Sequence, residues 1–133
     1  MNAVFVDTSG LLALLNPKDD NHPGAKAAFA RLRVRQAPLV STSFVLVETY
    51  ALLGRRFGLD AVKSFREDFA PLIEVVWVDE PLHEAGLNML LNRRTRRLSL
   101  VDAVSFVTMR QQKIEDAFAF DPHFEQEGFV LLN

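Results

Sequence analysis

Short apolar runs alternate along this chain with longer stretches in which apolar positions recur every three or four residues, the pattern of strands separated by helices. Residues 2–6 read as a buried strand. Asp7-Thr8-Ser9 then supplies capping side chains for a short helix carrying Leu11, Leu12, Leu14 and Leu15, stopped by Asn16-Pro17. A polar loop, Lys18 to Asn21, leads to Pro23 near a helix start and an amphipathic run from Ala25 to Arg35. Pro38 to Ser41 gives a second strand. Ser43 is placed to cap a helix that holds Glu48 and ends at Arg55-Arg56-Phe57, with Gly58 just past its end. Further on, the pattern predicts a helix from about Asp60 to Phe69, a strand from Ile73 to Val78, and a helix opened by Pro81. A helix capped by Ser99 then runs to about Gln112, and strands follow over Asp116 to Phe120 and Gly128 to Leu132.

Strands joined through helices of about ten or more residues pair in parallel, with helices covering both faces of the sheet. The expectation is an α/β fold: three layers, α/β/α, around a central mainly parallel sheet of four to five strands. At 133 residues the chain reads as one domain, 1–133, with no internal repeat or linker.

Four carboxylates interrupt this apolar pattern. Asp7 ends Ala3-Val4-Phe5-Val6, Glu48 sits inside Phe44 to Leu53, Asp102 inside Leu98 to Val104, and Asp121 ends Ala117 to Phe120. A carboxylate among apolar residues costs several kcal/mol unless something offsets its desolvation. Each has an ordinary alternative. Asp7 could cap the helix after it. Ser99 and Asp102 have capping-box spacing, and Asp121 before Pro122 is a common turn start. Glu48 caps nothing and breaks an apolar helix face. In a parallel α/β sheet, sites form beyond the carboxyl ends of the strands, where Asp7 and Asp121 would both lie.

Together the four suggest a shared cation. An oxygen-rich cluster without Cys or a His partner suits Mg²⁺ or Mn²⁺, one ion or two, and such ions can activate water against a phosphodiester. Without metal, paired carboxylates about 4 Å apart repel by about 4 kcal/mol, so at least one should have a raised pKa.

Composition narrows the classes. There are no cysteines, which excludes a disulfide framework and Cys-based metal sites, and no apolar run is long enough for a membrane span. The start of the chain does not read as a signal peptide, which favours a cytoplasmic protein. Net charge is −2, yet 11 of the 15 basic residues are Arg, the better fork for phosphate. Six of them fall in two knots, Arg55-Arg56 and the run Arg93, Arg94, Arg96, Arg97. Thr8, Ser9 and His123 lie close enough to the acids to touch a ligand. Trp77 and most of the Phe residues are expected in the core.

Val6-Asp7-Thr8-Ser9, Val47-Glu48, Leu98-Ser99-Leu100-Val101-Asp102-Ala103 and Phe120-Asp121-Pro122-His123-Phe124 stand in the order and spacing of the PIN domain, and the chain resembles its VapC-type toxins. The resemblance implies a metal-dependent ribonuclease with the four acids as metal ligands. It also implies a homodimer and a cognate antitoxin that blocks the site. The arginines would then hold flanking phosphates of an RNA substrate. Ala119 departs from the Ser or Thr that many members carry two residues before the last acid, which would leave that position looser. A receiver domain would need an acidic pair after the first strand, and a dehalogenase-like phosphatase a second acid where Ser9 stands. A non-catalytic RNA-binding or scaffold module on the same fold is the remaining alternative.

Overall fold

The computed structural model describes every residue except Met1 and Arg96. Five strands, β1 (Val4–Val6), β2 (Leu39–Thr42), β3 (Ile73–Val76), β4 (Asp116–Phe118) and β5 (Val130–Leu131), form one sheet in the order β3-β2-β1-β4-β5. Every pairing is parallel. The helices are α1 (Thr8–Leu15), α2 (His22–Val34), α3 (Ser43–Phe57), α4 (Leu59–Asp68), α5 (Glu80–Arg93), α6 (Leu100–Gln111) and α7 (Pro122–Gln126), with a short 3₁₀ turn over Ala70–Leu72.

Side chains alternate across a strand, so each central strand feeds two cores. Val4, Val6, Leu39 and Phe118 pack with residues of α1 to α4, including Leu11, Leu32, Leu53 and Phe65. Phe5, Val40, Ala117 and Ala119 pack on the other face with Phe106, Met109, Phe124 and Phe129. This is the three-layer α/β/α sandwich the sequence predicts. Among the described residues no helix is long and apolar enough to cross a membrane.

Several local expectations are corrected. Thr42, not Ser43, caps α3, its hydroxyl accepting from the Val45 N–H; Ser43 instead accepts from the Val78 N–H at 2.9 Å. Asp79 caps α5, which starts at Glu80, and Pro81 falls in its first turn. The strands are shorter than predicted: β3 stops at Val76 because Val78 and Asp79 are already committed to α3 and α5. Trp77 therefore leaves the sandwich and is 75% exposed. β4 stops at Phe118, and an unforeseen helix, α7, follows Asp121.

Candidate functional site

β1 and β4 are neighbours in register, Val6 opposite Phe118, so both chains leave the sheet at the same edge. The Asp7 N–H donates to the Phe118 carbonyl at 3.1 Å, extending that pairing by one residue. α1 then begins directly against β4. Gly10 permits this approach, because a Cβ there would strike the Phe118 carbonyl oxygen. The close packing brings Ser9 between the two strand ends. Its hydroxyl donates to Asp7 Oδ2 at 2.7 Å and accepts from the N–H groups of Phe120 and Asp121 at 2.9 and 3.3 Å.

Each of the three aspartates accepts a backbone N–H at the start of a helix, and two of them, Asp102 and Asp121, also share a group with His123. Asp7 Oδ2 accepts from the Ser9 N–H at 3.1 Å and caps α1. Asp102 Oδ2 accepts from the Ser99 N–H at 3.2 Å in a complete capping box at the start of α6. Asp121 Oδ1 accepts from the His123 N–H at 2.9 Å and caps α7. Capping takes only one oxygen of each carboxylate. The second oxygens, Asp7 Oδ1, Asp102 Oδ1 and Asp121 Oδ2, take no hydrogen bond among the described residues. Ligand atoms of Asp102, Asp121 and His123 lie within 4.8 Å of one another. The capping reading of the sequence is thus realised, and of the four predicted acids Asp102 and Asp121 are brought into one group.

Burial dominates the electrostatics. Asp7 is 4% exposed, and desolvation pushes its carboxyl up to about 7 against the two hydrogen bonds from Ser9. The charges of Asp102 and Asp121 raise it further, which places all three in electrostatic reach. Asp102 is raised too, first by burial and then by Asp121, with the Ser99 hydrogen bonds and His123 opposing. A raised carboxyl was expected from mutual repulsion; desolvation is the larger cause.

Glu48 lies outside the Asp102–Asp121–His123 group, half-buried on α3. Its helical turn is docked at the site by Thr8, whose hydroxyl meets the Val45 carbonyl at 3.3 Å and the Thr49 hydroxyl at 3.1 Å. Thr8 is buried and fully engaged there, so it does not face a ligand. His123 was expected to meet a substrate phosphate. Its Nδ1 is instead 2.7 Å from Asp121 Oδ1, and since a carboxylate only accepts, Nδ1 carries the proton. Ala119 is fully buried in the apolar core, and Asp121 is held by Ser9 and His123 without any hydroxyl at that position.

The arginine run is divided. Arg93 is tied to Glu127 at 3.0 and 3.2 Å, while Arg94 and Arg97 are exposed and Arg96 lies outside the described residues. Glu127 also receives Arg110 at 2.7 Å, joining α5, α6 and the end of α7. Nothing in the sequence singled out Glu127, because its partners are 34 and 17 positions away. Arg93, Thr95, Leu98, His123, Gln126 and Glu127 line a cavity of about 130 Å³ beside the aspartates.

The donor chemistry fits a divalent ion. Carboxylate oxygens and one imidazole nitrogen converge where the charge of Asp121 adds to the raised carboxyls of Asp7 and Asp102, and a cation would relieve that. Asp102, Asp121 and His123 would hold it, with Asp7 completing the charge.

The PIN domain family profile matches residues 4–129. The 23S rRNA-specific endonuclease VapC20 of Mycobacterium tuberculosis is 40% identical over 129 residues, covering 96% of this chain and 95% of that protein. The crystal structure of Mycobacterium tuberculosis VapC20, described as a Sarcin-Ricin loop cleaving toxin, superposes with a TM-score of 0.83 over 96% of this chain and 97% of that one, at 37% identity. FitAcB from Neisseria gonorrhoeae gives a TM-score of 0.73 at 14% identity over 98% and 96% of the two chains, and shares the fold.

Proposed function

The chain belongs to the PIN domain family, and from that premise we propose that it is a metal-dependent endoribonuclease, the toxin of a type II toxin–antitoxin pair. The observation that carries this reading is the convergence of Asp102, Asp121 and His123 at the carboxyl edge of the sheet, beside the buried Asp7. The relationship to an endonuclease of ribosomal RNA supports RNA, and a structured rRNA loop in particular, as the substrate class. Residues 1–133 act as one domain. The cation is Mg²⁺ or Mn²⁺, one ion or two, and Glu48 joins the three aspartates from α3. The toxin reading carries with it a cytoplasmic homodimer and a cognate antitoxin.

A bound divalent ion would neutralise phosphate charge and acidify the attacking water. The chain's own residues set the stage for it. Ser9 fixes the distance between Asp7 and the Asp121 loop, and His123 turns Asp121 so that one oxygen stays free. The exposed Arg94 and Arg97 stand to contact flanking phosphates, positioning the strand without reading its sequence.

The test is cleavage of an rRNA loop fragment and an unstructured RNA, with Mg²⁺ or Mn²⁺ and then with chelator. Cleavage should require the ion, and Asp102→Asn or Glu48→Gln should lower the rate by about 100-fold or more. Cleavage indifferent to chelator would end the proposal. Binding without cleavage in either ion would favour the non-catalytic RNA-binding module.

A further inference from the structure

Trp77, the one Trp of the chain, is 75% exposed, and its position relative to the acids follows from strand register. Phe5 pairs with Val40, which sets Thr42 level with Asp7, and Thr42 pairs with Val76. Trp77 therefore stands one residue beyond the level of Asp7, two strands away, or about 10 Å across the sheet. It shares the carboxyl edge with the aspartates.

The segment is fixed in place. The next residue, Val78, donates its N–H to the Ser43 hydroxyl at 2.9 Å, and Asp79 caps α5. Val47, one helical turn along α3 from Ser43, is 66% exposed and precedes Glu48. Two exposed apolar side chains thus border the acids on the β3 side. Glu48 follows Val47 directly, and the exposed Asp79 and Glu80 follow Trp77 within three residues. Two side chains make a small apolar surface, and the acidic residues beside them in the chain disfavour phosphate on it. It suits a flat, uncharged group carrying amino donors.

We propose that Trp77 is a stacking platform for an unpaired base of the substrate RNA, next to the phosphodiester presented to Asp102 and Asp121. The proposal rests on the ribonuclease reading and adds a contact to it. RNA needs such a contact here. The chain carries a net charge of −2, and Arg93 is engaged by Glu127, so the ionic share of binding is limited. Stacking on an aromatic ring depends little on charge or sequence.

As the single Trp, Trp77 is its own fluorescent reporter. The full chain is titrated with a short single-stranded mixed-sequence RNA and with the blunt duplex of the same sequence, with Ca²⁺ as the cation to slow cleavage. The single strand should quench Trp77 emission saturably and the duplex should not. Trp77→Ala should weaken RNA binding and raise KM about 5- to 100-fold with kcat little changed, and Trp77→Phe should recover most of the loss. Far-UV circular dichroism and light scattering accompany each variant. RNA cleavage by the parent with unquenched Trp77 and an unchanged KM in Trp77→Ala would overturn this proposal and leave the nuclease reading intact. A changed oligomeric mass in Trp77→Ala with unaltered RNA affinity would assign the residue to a protein contact and overturn it as well. Absence of both RNA binding and cleavage in the parent would remove the nuclease reading itself.

Discussion

Ser9 and Asp121 stand 112 positions apart, yet the Asp121 backbone N–H donates to the Ser9 hydroxyl at 3.3 Å. The same hydroxyl donates its one proton to Asp7 at 2.7 Å and accepts from the Phe120 N–H at 2.9 Å. A single side chain thereby sets the spacing of the two strand ends that carry the outer acids, and its hydrogen-bonding capacity is fully used.

Ser9→Ala removes all three bonds and leaves two backbone donors without that partner. We expect a loss of about 1–3 kcal/mol in stability. The larger consequence is orientation: groups that aim metal-binding carboxylates typically contribute 10- to 100-fold in ion affinity or activity. Urea denaturation and cleavage rates across a Mn²⁺ titration read the two effects separately. Parent-like Mn²⁺ dependence in the variant would show that Asp7 and Asp121 find their positions without Ser9.

A second prediction concerns Glu127. Its carboxylate takes both Arg93 and Arg110 while its own side chain is only 14% exposed. The pairing holds its carboxyl below the usual range, the Arg93 hydrogen bonds being the main cause. Glu127→Gln keeps the shape and removes the charge. With both arginines half in solvent, the cost should be about 1 kcal/mol at low salt, shrinking as salt approaches about 1 M and the Debye length falls to about 3 Å. Thermal unfolding at the two salt concentrations measures this. A loss equal at both would place the effect in packing around the His123 cavity instead of in the ion pairs.

Most of the architecture was legible because it is written in local pattern. Val4-Phe5-Val6 and Leu39-Val40 are strands by periodicity, and the long connections between them force parallel pairing. Asp7, Asp102 and Asp121 stood out because each broke an apolar run. What the pattern hid is non-local. Trp77 reads as core by composition, and only the commitments of Val78 and Asp79 to α3 and α5 push it outside the sheet. Thr8 has the look of a ligand contact until Val45 and Thr49, on a helix that begins 35 residues later, take up its hydroxyl. Arg93 reads as a free phosphate clamp, but Glu127, far along the chain, holds it. The arrangement of the arginines was the least readable part, since exposed charges are placed by partners and not by periodicity.

The last prediction follows from the burial of Asp7. Its carboxyl ionises at 3.8 in a solvated chain and at about 7 in the folded protein. Between those values the folded state holds a proton that the unfolded state has released, so metal-free stability must fall as pH rises through that window and stay low above it. The full effect amounts to about 4 kcal/mol at most. Asp7→Asn keeps an acceptor for Ser9 and has nothing to ionise. It should match the parent near pH 4 and exceed it in melting temperature near pH 8, while losing cleavage. A divalent ion acts in the opposite direction, because it binds the ionised carboxylate and must displace the proton. Stabilisation of the parent by Mn²⁺ should therefore be small near pH 5.5, grow up to about pH 7 and level off above it, and be much reduced throughout in Asp7→Asn. Melting curves of both proteins across that range, with and without Mn²⁺, decide the matter. A metal-free parent whose stability relative to Asp7→Asn holds steady or improves toward pH 8 would mean that Asp7 is already ionised in the fold, and that burial does not set its proton affinity.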